Sequence, residues 1–149
     1  MLSNRAKYGL KALIYITQHP ETSVQSGEIA AARNIPKKFL DGILLDIKNG
    51  GVLYSKKGKG GGFQLARPAK RILIGQIIRL LDGSLAPIAC ASHEDGEKCA
   101  DCTGEPQECG VRALMREVNE AIVTVLDHRT LEELAQSHSQ EPFILRYDI

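Results

Sequence analysis

The chain has no apolar run near the roughly eighteen residues that a membrane-spanning helix needs. Its opening residues, MLSNRAKYGLKALIYI, scatter Arg5, Lys7 and Lys11 where a secretory leader would hold an uninterrupted apolar stretch. A cytoplasmic protein with no membrane partner is expected. Internal repeats and low-complexity segments are absent. Serine, histidine and aspartate occur without a triad or nucleophile elbow, and the histidines at 19, 93, 128 and 138 are too dispersed for a catalytic metal, so no enzyme is expected. Cysteine is scarce and confined, with all four residues between positions 90 and 109. In a reducing compartment, clustered thiols more often bind metal or do redox work than form structural disulfides.

What is present is divided by charge. The formal net charge of the 149 residues is +1, but residues 1–71 carry +9 and residues 72–149 carry −8. Such a split suggests that the first half meets a polyanion and the second does something else.

Hydrophobic spacing predicts the elements. In RAKYGLKALIYITQHP, Ala6, Leu10, Leu13, Ile14 and Thr17 mark one helix face, and Pro20 stops the run. A second helix starts at Ser26 as N-cap, with Glu28 in its first turn, and RNIP ends it. Pro36 suits the first position of a third helix, whose buried stripe is Phe39, Leu40, Ile43, Leu44 and Ile47. Two short helices joined by about four residues make a helix-turn-helix candidate. VLYS and FQLA then alternate as hairpin strands, and ILIGQIIRLLDG is a further short helix. Residues 84–109 lack periodicity. From Val111 a long helix carries Leu114, Val118, Ala121 and Val125 at near-heptad spacing, with Met115 and Ile122 beside them. Thr130 and Glu133 form a capping box for the last helix, and the tail PFILRYDI is expected to be extended.

The hairpin tip SKKGKGGGFQLARP asks what it touches. It fails both nucleotide-loop patterns: Phe63 stands where GxGxxG needs glycine, and Gly58-Lys59 is followed by Gly60, where a Walker loop needs Ser or Thr. A helix-turn-helix followed by a basic hairpin is the order of a winged helix, whose third helix enters the major groove while the wing tracks the backbone or minor groove of double-stranded DNA. The candidate DNA contacts are Ser26, Lys37, Lys38, Phe39 and Asp41 in the helix-turn-helix, and Lys56, Lys57, Lys59, Gly60 and Gly61 in the wing. The lysines would neutralise phosphates, the wing glycines would allow close approach, and Asp41 could accept from cytosine. The plainer readings are a solubilising hairpin and an ordinary solvated helix face.

Cys90, Cys99, Cys102 and Cys109 are the candidate metal ligands, with Cys99-Ala-Asp-Cys102 supplying a pair close enough to chelate one metal. No second CxxC accompanies it, which weakens a zinc ribbon. His93 is a fifth possible donor. A redox disulfide and inert thiols remain open beside metal binding.

YGLKALIYI, IPKKFLDGILLDIKNGGVLYSKKGKGGGFQLARP and IGQIIRLLDG together resemble the Rrf-two family of bacterial transcription regulators, across almost the whole chain. The resemblance implies a mainly α fold with a small β-hairpin wing: a winged helix-turn-helix at residues 1–83, a cysteine-rich cluster-binding loop at 84–110, and a dimerisation helix with its tail at 111–149. It also implies a homodimer on a DNA operator and an iron–sulfur cluster, 2Fe-2S or 4Fe-4S, with zinc as the alternative. In IscR-like members a histidine follows the last loop cysteine by three residues, a place held here by Arg112. In NsrR-like members an acidic residue precedes the first-helix Tyr-Gly-Leu, where this chain has Lys7. The fourth cysteine is therefore expected to complete an all-cysteine site. The expected function is a DNA-binding regulator controlled by that cluster, sensing redox state, nitric oxide or iron–sulfur status. A zinc site or thiol switch in the same loop is the main rival, and an iron–sulfur redox protein the more distant one.

Overall fold

The computed structural model describes residues 2–92, 99 and 108–137. Eight regular elements follow in order: α1 (Asn4–Thr17), α2 (Ser26–Arg33), α3 (Lys37–Asn49), β1 (Leu53–Lys56), β2 (Gly62–Leu65), α4 (Ile74–Asp82), α5 (Gly110–Leu126) and α6 (Leu131–Gln136). Short 3₁₀ turns lie at Ala69–Arg71 and Ala89–Ala91.

The first turn of α1 is capped by Ser3, whose hydroxyl accepts from the Ala6 amide at 3.1 Å, while the Ser3 amide donates to Asp82 at 2.9 Å. That ties the start of α1 to the end of α4. Glycine at position 9 permits the same approach further along, because a methyl group there would overlap Leu81. α2 ends on Asn34 in the left-handed conformation (φ 51°), which turns the chain abruptly into α3. The N-cap of α2 is Gln25 and not Ser26, which instead opens the helix and turns its hydroxyl toward α3.

α3 buries Leu40, Ile43, Leu44 and Ile47 against α1, α2 and α4. At roughly 1.5–3 kcal/mol for each fully buried large aliphatic side chain, this stripe is a main reason the helix docks. Phe39, expected in that stripe, is 49% exposed and lies edge-on against Tyr8, with ring centroids 6.0 Å apart. One residue of helix is a 100° rotation, which carries position 39 to the rim of the buried face.

β1 and β2 pair antiparallel with Tyr54 opposite Gln64 and Lys56 opposite Gly62. Phe63 also exchanges backbone hydrogen bonds with Val24 at 2.8 and 3.0 Å, fastening the hairpin to the α1–α2 connection. Ile72 and Leu73, expected in the helix that becomes α4, are instead extended. The Leu131 amide donates to Ile72 and the Ile74 amide donates to Arg129, at 2.8 and 2.9 Å. Leu131 is fully buried among residues of α1 through α4, so the segment after α5 returns to the core that those helices form.

Arg79 of α4 holds Asp127, at the end of α5, through two hydrogen bonds of 2.7 and 2.9 Å. The guanidinium keeps the Asp127 carboxyl below its ordinary value of 3.8. A carboxylate with a lowered folded pKa contributes stability above its unfolded pKa and loses it as the pH falls through the folded one. The clasp thus acts fully at neutral pH and fades below about pH 4. Gly75 makes room for it, since a methyl group there would overlap the carboxylate. Gly75→Ala is expected to cost about 1–3 kcal/mol at pH 7. The cost in urea titrations should shrink at acid pH; a pH-independent cost would assign it to crowding alone.

Candidate functional site

Two sets of residues stand on this scaffold. The first lies on α3 and the hairpin. Asp41 accepts from the Ser26 hydroxyl and from the Lys37 ammonium, the latter at 2.9 Å, and these two donors, Ser26 foremost, hold its carboxyl below the usual aspartate range. Ser26, Lys37 and Asp41 therefore form one network across the α2–α3 turn. Lys38 is exposed beside it. Asp46 pairs with Arg5 of α1, which seats the other flank of α3.

On the hairpin, Lys56, Lys57 and Lys59 are exposed. The glycines between and after them do different jobs. Gly58 and Gly60 take φ of 93° and 75° around an open turn, a conformation that side chains resist. Gly61 is buried under its own loop, its amide donates to the Gly58 carbonyl at 2.9 Å, and a methyl group there would overlap the Lys56 carbonyl. Gly62 lies against the Val24 backbone in the same way. Gly61, expected to face a duplex, is thus needed to close the loop, and the open tip belongs to Gly58, Lys59 and Gly60.

The second set is at the foot of α5. Cys90, in the 3₁₀ turn, is buried, and its thiol meets that of Cys99 in a hydrogen bond. Burial above all, then the neighbouring Cys99, pushes the Cys90 thiol up, while Arg112 opposes the shift. Cys109 is the N-cap of α5, its sulfur accepting from the Arg112 amide at 3.5 Å. The Arg112 guanidinium donates to the Cys90 carbonyl at 2.8 Å. Arg112 thus bridges the two ends of the cysteine segment, a role visible in the sequence only as a position not held by histidine. Cys102, His93 and most of the acidic residues of the segment lie outside the described residues, as does the tail PFILRYDI. Among the described residues no three His, Cys, Asp or Glu side chains close on one point. The chemistry of the donor set, soft sulfurs with a guanidinium beside them, fits a thiophilic metal or an iron–sulfur cluster.

Among the described residues, little covers the apolar face of α5. Val111, Leu114, Val118 and Val125 are exposed, the first by 64%, and its only buried residue is Asn119. No described helix is long and apolar enough to cross a membrane.

A helix-turn-helix whose third helix is followed by an antiparallel hairpin defines a winged-helix transcription regulator. Residues 2–137 match the sequence profile of the Rrf2 family, described as iron-dependent transcriptional regulators, and the chain belongs to that family. It is 33% identical over 138 residues, 90% of this chain and 91% of the other, to a Rhodobacter capsulatus protein named as rrf2-like. It is 28% identical to the regulator IscR of Xenorhabdus nematophila, covering 91% and 79% of the two chains. The structure of CymR, the global cysteine regulator of Bacillus subtilis, superposes with a TM-score of 0.74 at 30% identity, over 91% of this chain and 96% of that one. The family and these relatives are DNA-binding regulators of transcription, not enzymes.

Proposed function

We propose that the protein is a homodimeric, sequence-specific regulator whose operator affinity is set by an iron–sulfur cluster held by Cys90, Cys99, Cys102 and Cys109. The observation that carries this reading is the meeting of Cys90 and Cys99 at the start of α5, tied to Cys109 through Arg112. When bound, the cluster supplies a redox-active, oxidant-labile cross-link between these thiolates. The chain does the rest. Arg112 offsets thiolate charge and holds the 3₁₀ turn to the helix, while the uncovered apolar face of α5 pairs with its copy. Lys37 and Lys38 approach the major groove, and Lys56, Lys57 and Lys59 reach phosphates. Ordering the cysteine segment biases α5, and the Arg79–Asp127 clasp conveys that bias to α4 and α3. Dimeric helix-turn-helix proteins read half-sites at fixed spacing, so a small change in that spacing changes affinity.

A coupling of about 1–3 kcal/mol gives roughly 5- to 150-fold regulation. The expected result is therefore a change of that size in operator Kd, at fixed salt, when cluster is removed from protein isolated without oxygen. An unchanged Kd would separate the cysteines from DNA binding. Iron and acid-labile sulfide in matching amounts per chain would support the cluster.

The contact between the Cys90 and Cys99 thiols favours a second reading, a disulfide switch joining these two residues. No metal after anaerobic isolation, with a Cys90–Cys99 disulfide in the oxidised protein, would select it, whereas zinc would select a structural zinc site in the same segment.

A further inference from the structure

α3 carries a glycine that no described neighbour accounts for. Gly42 lies in the middle of the helix, where glycine is disfavoured relative to alanine, yet a methyl group there would meet none of the described residues within 4 Å. Gly9 of α1 and Gly75 of α4 differ, since both make room for a packed neighbour.

The surroundings show which way Gly42 faces. Leu40, Ile43, Leu44 and Ile47 are buried. One flank turns toward α1 through the contacts of Phe39 with Tyr8 and Asp46 with Arg5. The other turns toward α2 through the Ser26–Asp41–Lys37 network. With 3.6 residues per turn, the line opposite the core runs through Lys38, Gly42, Leu45 and Asn49, all of them exposed. On that line Leu45 is 51% exposed, an apolar side chain aimed away from its own protein.

We propose that this line is the base-reading edge of α3, with Gly42 the point where the helix backbone comes against the base pairs and Leu45 packing on the C5-methyl group of a thymine in each half-site. The inference rests on the DNA-binding reading above and deepens it. A leucine has neither donor nor acceptor, so in the major groove it can discriminate only by apolar contact, and among the four bases thymine alone presents a methyl group there. A side chain at position 42 would hold the helix away from the base edges and prevent that contact. Lys38, one turn earlier, brings a donor for guanine O6 and N7.

The test begins with duplexes selected by the full chain from a random library. Each thymine of the selected half-site is then replaced by deoxyuridine, which removes only the methyl group. One replacement per half-site removes two methyl groups from the two-fold complex and should weaken binding about fifteenfold, at roughly fourfold for each buried methyl group. Leu45→Ala should bind thymine and deoxyuridine duplexes alike, and Gly42→Ala should melt no lower than the wild type while losing about tenfold in operator affinity. Half-sites without thymine, indifference to every deoxyuridine, or a Gly42→Ala chain that binds as the wild type would overturn the inference while leaving DNA binding intact. A chain that selects no duplex would overturn the DNA-binding reading, and this inference with it.

Discussion

Leu114→Glu is expected to yield a monomer in sedimentation and to weaken operator binding by at least about two decades. Leu114 is 55% and Val125 57% exposed on a helix whose buried position holds asparagine, so this apolar stripe is not covered by the described residues. In a two-fold dimer each residue of the face appears twice, so one substitution places two carboxylates in the interface. Burying unpaired charge costs several kcal/mol, and about 3 kcal/mol is already two decades in a dissociation constant. Because Leu114 makes the surface and not the core, the variant should keep the wild-type helical content and melt as a folded monomer. Val125→Glu provides an independent variant at the other end of the stripe. A Leu114→Glu chain that still sediments as a dimer would remove α5 from the interface.

The second large effect belongs to the wing. Replacing Lys56, Lys57 and Lys59 together with alanine should weaken binding to all duplexes alike and flatten the dependence of log K on log salt. Each lost phosphate contact lowers the slope by about 0.9, so three in each wing, six in the two-fold dimer, lower it by about 5.4. The three side chains are exposed around an open turn, which argues that their loss leaves the hairpin folded. Hairpin integrity rests instead on Gly61, Gly62 and the Val24–Phe63 pairing. If the slope stays at its wild-type value, the wing lies outside the interface. If affinity falls only on the selected operator, these lysines read bases and not backbone.

The two variants act on different parts of the complex. The α5 variant changes how many half-sites one particle can engage. The wing variant changes how strongly each half-site is held. A regulator that needs both should therefore show different salt slopes for the two variants even where their Kd values coincide.

Much of this was legible along the chain. The alternation of Leu40, Ile43, Leu44 and Ile47 announced α3, Pro20 and Asn34 announced the ends of α1 and α2, and Thr130 with Glu133 announced α6, whose capping box is present in full. These signals are local: they depend on helical period, on the left-handed preference of asparagine and on a side chain reaching a nearby amide. The charge division between residues 1–71 and 72–149, and the confinement of cysteine to 90–109, likewise needed no coordinates.

Only the tertiary structure decided which surfaces remain free. Phe39 satisfies the periodic pattern of α3 yet sits on its rim against Tyr8, and Ser26 looked like an N-cap yet bonds to Asp41 in the next helix. The four wing glycines read alike in sequence but divide into an open turn at Gly58 and Gly60 and close backbone approaches at Gly61 and Gly62. Arg112 became the link between Cys90 and Cys109, and Gly42 became conspicuous, once their neighbours were known. The physical reason is the same in each case. Period and propensity are properties of a few consecutive residues, whereas burial, hydrogen-bond partners and empty space are set by residues brought close from elsewhere in the chain.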